Sequence, residues 1–244
     1  MRYKTELMSK IRLFCKETLE EKKHIHLLGD DFHYLINVMR CEVGYEILLF
    51  NENNGEYSAK IIDKKKKSLI LEVINRIRYE KILNRFNLIF CPPKSQKLDT
   101  LVQKCTEIGV NNFIPVISDH TENRKLNINR LKKIIKEAVE QSNQIYIPEF
   151  YSPISFSELI KKYETSSSNI FFADIQSDIS FSNLKIDTTK SNSVFIGPEG
   201  DFSAGEIDIL RNQDNFFSFS LGKRILRSET AAIASLVLLN NLNN

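Results

Sequence analysis

A chain of 244 residues, 42% hydrophobic and with four cysteines, is long enough to bury one large core or two smaller ones without disulfide or metal staples. Its formal charge of +3 is too small to argue for a polyanion partner by itself, and no run approaches the roughly 20 apolar residues of a membrane-spanning helix. The opening MRYKTELMSKIRLF lacks a signal-peptide core, so the expectation is a soluble, cytoplasmic protein with no membrane partner.

From Arg2 to about Ile77, short apolar runs alternate with turn chemistry. Glu46 to Phe50, Tyr57 to Ile62 and Leu69 to Ile74 read as strands separated by the polar stretches Asn51 to Gly55 and Asp63 to Ser68. One helical segment is expected at Asp31 to Arg40, with Phe32, Leu35, Ile36 and Met39 facing inward. The whole reads as a small antiparallel sheet or barrel. Positive charge is in excess here, with 17 Lys and Arg against 13 Asp and Glu in residues 1 to 86, and 17 against 18 in the remainder. That asymmetry points to polyanion contact by the front of the chain.

After Arg85 strands and helices alternate. Strands are expected at Asn87 to Cys91, Phe113 to Ile117, Ile170 to Ala173, Ser193 to Ile196 and Phe216 to Ser220. Helices are expected at Lys97 to Ile108, ending at Gly109, and at Asn129 to Ser142. Two more carry the capping-box spacing, Ser155-x-x-Glu158 and Ser203-x-x-Glu206, and Ser228 to Leu239 closes the chain as an apolar helix. This is the grammar of an α/β domain with a largely parallel sheet, in which ligands bind beyond the carboxyl ends of the strands.

That rule selects two loops. In FIGPEGDFSAGE (Phe195 to Glu206) a buried strand runs into Gly197-Pro198-Glu199-Gly200 before a capped helix. Two readings are open: an ordinary strand-to-helix turn, or a place where a ligand approaches the backbone closely. The GxGxxG dinucleotide fingerprint is absent. In LGKRILRSETAA (Leu221 to Ala232), Lys223, Arg224 and Arg227 gather before a helix N-terminus that is already positive, which an anion or neighbouring carboxylates such as Glu199 and Glu229 would balance.

Other conspicuous residues have structural readings. His24-x-His26 places two imidazoles on one strand face without a third ligand nearby, so no metal is expected. Lys64 to Lys67 reads as a solvated hairpin turn, with phosphate contact as the alternative. Phe216, Phe217 and Phe219 read as sheet core, Ser228 as a helix cap, and the widely spaced Cys15, Cys41, Cys91 and Cys105 as reduced, buried thiols.

VFIGPEGDFSAGEI and LGKRILRSETAA, at this separation near the C-terminus, resemble the signatures of the RsmE family, bacterial 16S ribosomal RNA uridine-N3 methyltransferases of the SPOUT class. Pro93-Lys94, LDTLVQKCTEIGV with Asp99 inside it, IPVISDHT and EAVEQS resemble the family's middle section. His33-x-x-x-x-Val38-Met39-Arg40, Gly44 and Gly55 to Tyr57 resemble its front domain.

The resemblance implies a small PUA-like β-barrel domain for RNA at residues 1 to 77, a linker at 78 to 86, and a SPOUT methyltransferase domain at 87 to 244. The SPOUT domain's largely parallel sheet carries a trefoil knot that holds S-adenosyl-L-methionine, and the enzyme acts as a homodimer on 16S ribosomal RNA or the small ribosomal subunit. Residue by residue, Ala173, Gly197, Glu199, Gly200, Leu221, Gly222, Ile225 and Leu226 match cofactor-binding positions. Arg227 is the main catalytic candidate, with Glu199, Glu229 and Thr230 in support, and Arg12, Arg40 and Lys94 are the RNA-binding candidates. Ser142-Asn143-Gln144 and Asp119-His120 depart from a pattern that commonly has arginine in both segments. The alternatives are a non-catalytic RNA-binding or ribosome-assembly protein and a SPOUT methyltransferase with another RNA acceptor.

Overall fold

Apolar runs with polar flanks form the strands of two separate sheets in the computed structural model, which describes residues 11–80, 86–187 and 189–242. The first elements are β1 (Arg12–Phe14), β2 (His24–Leu27), α1 (Gly29–His33) with a π-helical turn at Tyr34–Val38, β3 (Glu46–Asn51), β4 (Gly55–Lys64) and β5 (Leu69–Arg78). Then follow β6 (Asn87–Phe90), α2 (Ser95–Ile108), β7 (Asn112–Ile117), α3 (Ile128–Gln141), β8 (Glu149–Phe150), β9 (Ile154–Ser155), α4 (Phe156–Tyr163) and β10 (Asn169–Ala173). The chain ends with β11 (Asn192–Ile196), α5 (Ala204–Arg211), β12 (Phe216–Phe219) and α6 (Ser228–Leu242).

The described residues form two compact units. One takes those up to Glu80 together with Val139–Ile147, and the other takes 86–138 and everything from Pro148 onward. The segment 139–147 thus belongs to the unit formed by the front of the chain. Of the expected linker 78–86, Arg78 is the last residue of β5, and residues 81–85 lie outside those described, as do residues 1–10 of the expected front domain.

In the first unit the strand order is β1-β3-β4-β5-β2, antiparallel except for β1 on β3. Register shifts at Glu56/Tyr57, Ser58/Ala59 and Ile61/Asp63 curl the long β4–β5 pair, because each extra residue bends the strand and adds twist. Leu13, Leu19, Ile25, Leu35, Ile47, Leu49, Ile61 and Leu71 fill the concave side. The helix expected through Arg40 ends sooner. A π turn, with Met39 N donating to the Tyr34 carbonyl at 2.9 Å, inserts an extra residue, so Leu35 stays buried while Met39 is rotated into solvent. Arg40 follows in the left-handed conformation at φ 53°.

Arg12, an RNA candidate by resemblance, is instead a core residue of this unit. Its Nε lies 2.6 Å from Glu56 Oε1, and its two terminal nitrogens donate to the carbonyls of Val139 (3.1 Å), Glu140 (3.0 Å) and Gln144 (2.7 Å). The guanidinium also stacks 4.4 Å from the centre of the Phe50 ring. Burial lowers its pKa, opposed by Glu56. Arg78 Nε reaches the other Glu56 oxygen at 2.8 Å and its NH2 group bonds to Asn143, so the segment whose sequence departs from the family's arginine holds acceptors for two arginines. Two guanidiniums near the last turn of α3 also suit the negative end of its dipole.

The second unit is built on the order β12-β10-β11-β6-β7-β8, parallel throughout, with β9 also on β7. Both helices with capping-box spacing carry the complete box, at Ser155/Glu158 and Ser203/Glu206. Helix α2 ends at Gly109 as expected and packs on α6, where Asn240 donates to the Ile108 carbonyl at 2.8 Å. Phe216 and Phe219 are buried, whereas Phe217 is 40% exposed, so only two of the three are core.

The amino ends of these strands share a polar belt. Asn112 and Asn111 donate to Asn87 Oδ1 (2.9 and 3.3 Å), Asn87 donates to Ser193 Oγ (3.3 Å), and Asn169 donates to Asn192 Oδ1 (3.2 Å). Asn215, just ahead of β12, donates to the carbonyls of Tyr163, Ser166 and Ser168. The buried amides are thus paired with one another across the sheet, as burial requires.

Candidate active site

At the opposite, carboxyl ends of β10, β11 and β12 the chain leaves three loops around a cavity of about 540 Å³. This is where an open parallel sheet directs its ligands. Ala173 and Asp174 come from the end of β10, Gly197 to Asp201 from the loop after β11, Leu221, Gly222 and Arg224 to Arg227 from the loop after β12, and Ser228 from the start of α6.

The loop after β11 folds over an aromatic stack. Phe202 lies edge-on to Phe195 at 4.9 Å between centroids and also meets Phe156. A Cβ at Gly197 would stand 2.9 Å from the Phe202 ring, which is why only glycine fits there. The loop closes as a turn, Asp201 N donating to the Pro198 carbonyl at 3.0 Å, with Asp201 left-handed at φ 60°. Glu199 pairs with Lys97 in the first turn of α2.

The loop after β12 turns at Gly222, whose φ of 106° is a glycine conformation, and Gly222 N donates to Ser220 Oγ at 3.2 Å. Ile225 stands 88% exposed at the rim. Arg227 ends the loop as the residue before α6, its carbonyl accepting from Ala231 N at 2.8 Å. Ser228 is therefore the first residue inside the helix and not its cap, and its buried Oγ has no hydrogen-bond partner among the described residues. Lys223, Arg224 and Arg227 are exposed, and no carboxylate pairs with them among the described residues, Glu199 being held by Lys97. The structural explanation for that group of cations is thereby removed, leaving a positive rim that suits an anion.

Of the residues singled out in the sequence, Ala173, Gly197, Glu199, Gly200, Leu221, Gly222, Ile225, Leu226 and Arg227 all line the cavity. Glu229 and Thr230 follow on α6 outside its lining. Lys94 lies apart from it, exposed and 3.1 Å from Glu122. Sequence reading missed Lys97 and Asp174. Asp174 directly follows a buried strand, and the strand-end rule alone would have selected it. Its carboxylate is buried and accepts from Arg211 (2.7 Å) and Gln176 N (2.8 Å). Lys97, by contrast, is marked only by being a cation at a helix start.

The loop after β7 braces the first cavity loop. Asp119 N donates to Glu206 Oε1 at 3.0 Å, Ser203 Oγ donates to Asp119 Oδ2 at 2.7 Å, and His120 Nδ1 lies 2.8 Å from the Asp201 carbonyl. That last bond raises the imidazole pKa above its ordinary value. No thiol lines the cavity; Cys91 is buried and desolvation pushes it up to about 12, so it is an inert thiol as the sequence suggests.

A parallel α/β sheet with a loop-built cavity and cationic rim, joined to a small curled β-unit, matches two families: RNA methyltransferase domain over residues 80–240 and RNA methyltransferase PUA domain over residues 27–74. The class is thus an RNA methyltransferase with a PUA-like front domain. Within it the chain belongs to the ribosomal RNA small subunit methyltransferase E family. It is 31% identical over 229 residues to the family's protein from Rickettsia conorii, covering 92% of this chain and 93% of that one. To the protein of Bacillus subtilis it is 32% identical over 242 residues, covering 91% of each. A crystal structure of the Neisseria gonorrhoeae ribosomal RNA small subunit methyltransferase E bound to S-adenosyl methionine superposes with a TM-score of 0.86 at 25% identity, covering 96% of this chain and 98% of that one.

Proposed function

We propose that the protein transfers a methyl group from S-adenosylmethionine to N3 of a uridine in 16S ribosomal RNA, in the cytoplasm. The observation that carries this reading is the meeting at one cavity of two glycine loops and Arg227, which has no carboxylate partner among the described residues. The residues present suit the cofactor: Gly197 and Gly222 let the backbone close in, while Ile175, Ile196 and Leu226 supply apolar wall. Bound there, the cofactor supplies a methyl group activated by a sulfonium.

Arg227 would then face the acceptor. Uridine N3 becomes nucleophilic by losing its proton, and the charge that spreads over the ring is stabilised by a fixed cation. An attacking ring nitrogen needs no cysteine nucleophile, in keeping with a cavity lined by none. RNA approach falls to Arg40, Lys94 and the exposed Lys64 to Lys67 turn, Arg12 being committed to the core.

The trefoil knot and the homodimer belong to the same proposal. Exposed Val237 and Leu238 on α6 support a partner surface. Calorimetry with S-adenosylmethionine tests the cofactor, since a pure RNA-binding protein shows no binding. Nucleoside mapping of 16S ribosomal RNA from a deletion strain tests the acceptor, the expected result being loss of 3-methyluridine; a different missing nucleoside would reassign the substrate. Gly197→Ala is expected to weaken cofactor binding, because displacing the packed Phe202 ring costs about 1–3 kcal/mol. Unchanged affinity in calorimetry would show that the loop does not meet the cofactor.

A further inference from the structure

The loop after β7 is not part of the cavity, yet it makes four hydrogen-bond contacts with the segment that forms one wall. Its shape is fixed first by its own bonds: Ser118 N donates to Thr121 Oγ1 at 2.9 Å, and Arg124 donates to the carbonyls of Thr121 (3.0 Å) and Asp119 (3.2 Å). From this rigid base Asp119 engages Ser203 and Glu206, at the start of α5. His120 reaches the turn before it, with Nδ1 2.8 Å from the Asp201 carbonyl and 3.2 Å from that of Gly200.

Both partners of Nδ1 are carbonyl oxygens, which only accept, so Nδ1 carries the proton in the neutral and charged ring alike. The turn it holds contains left-handed Asp201, a conformation that strains a non-glycine residue and needs support from its surroundings. His120 also packs beside Gly200, where a Cβ would make ordinary van der Waals contact with His120 Cβ at 3.5 Å.

Resting on the cofactor reading above, we infer that His120 is a positioning residue for the loop after β11, holding the Gly200–Asp201 turn in the shape that binds S-adenosylmethionine. It touches neither cofactor nor acceptor in this role. Its contribution is to preorganise the loop, so it acts on affinity and not on the chemical step.

Two variants test this on the full chain. His120→Ala removes the donor; His120→Asn keeps an N–H donor at the δ position while removing the imidazole. Calorimetry with S-adenosylmethionine is expected to show His120→Ala weakened by roughly three- to tenfold, the span of one net hydrogen bond. His120→Asn should regain most of that loss. Steady-state assays should show KM for the cofactor raised in His120→Ala with kcat unchanged at saturation. Affinity equal to that of the unsubstituted protein in His120→Ala overturns the inference, as does His120→Asn failing as badly as the alanine variant. Absence of binding by the unsubstituted protein would instead remove the cofactor reading, and this inference with it.

Discussion

Arg227→Ala is expected to lower kcat for RNA methylation by about 10²- to 10³-fold, the loss typical of removing one preorganised group that stabilises developing charge. The reason lies in how the cation is presented. Arg227 sits at the last loop position before α6, lines the cavity, and has no carboxylate partner among the described residues to neutralise it. In the proposed reaction its charge would be free for a substrate that becomes anionic as N3 loses its proton. Exposure of the side chain also means that the folded state depends little on it, so thermal stability and S-adenosylmethionine affinity should stay near those of the unsubstituted protein. Arg227→Lys should recover part of the rate, since it restores a point charge without the planar donor fork. A folded Arg227→Ala protein that binds cofactor and methylates RNA at the normal rate would show that the charge is stabilised elsewhere.

Glu56→Ala should produce the largest stability loss, about 3–5 kcal/mol, because it strands a buried guanidinium without its counter-ion. Glu56 is 2% exposed and divides its two oxygens between Arg12 and Arg78. With the carboxylate gone, two like charges face each other across a space that water enters poorly. Arg12→Ala should also be costly by a different route, leaving Glu56 short of one donor and the carbonyls of Val139, Glu140 and Gln144 without theirs. Urea denaturation of the full chain, followed by a probe in the first unit, reads both effects. If Arg12→Ala kept full stability and lost only RNA binding, the arginine would belong to the RNA surface after all.

The contrast between Arg12 and Arg227 shows what a sequence carries. Arg227 lies within a motif whose chemistry is local, next to Gly222 and a helix start, and its place at the cavity could be read from neighbours in the chain. Arg12 has its hydrogen-bond partners 44 to 132 residues away, and burial of that kind leaves no local mark. The same distinction runs through the fold. Both capping boxes and the long amphipathic helices follow from spacing, whereas the π turn that ends the helix before Arg40 depends on packing beneath it. His120 meets the cavity loop across 80 and 81 residues, and residues 139–147 join a unit begun at the other end of the chain. Asp174 was legible in principle, standing at the one position after its strand where the sheet rule looks for ligands.

The asparagine belt across the amino ends of the parallel strands gives the sheet a direction. Side-chain amides tie β6, β7, β10 and β11 together at that end, while the other end opens into the cavity loops. Opening fluctuations should therefore begin at the loops and die out toward the belt. Hydrogen exchange would record this as a gradient along each strand, with amides near Asn87 and Asn192 among the last to exchange and those near Ala173 and Ile196 among the first. Such a gradient would leave one margin of a single sheet free to move around the cavity while the belt holds the register of its strands.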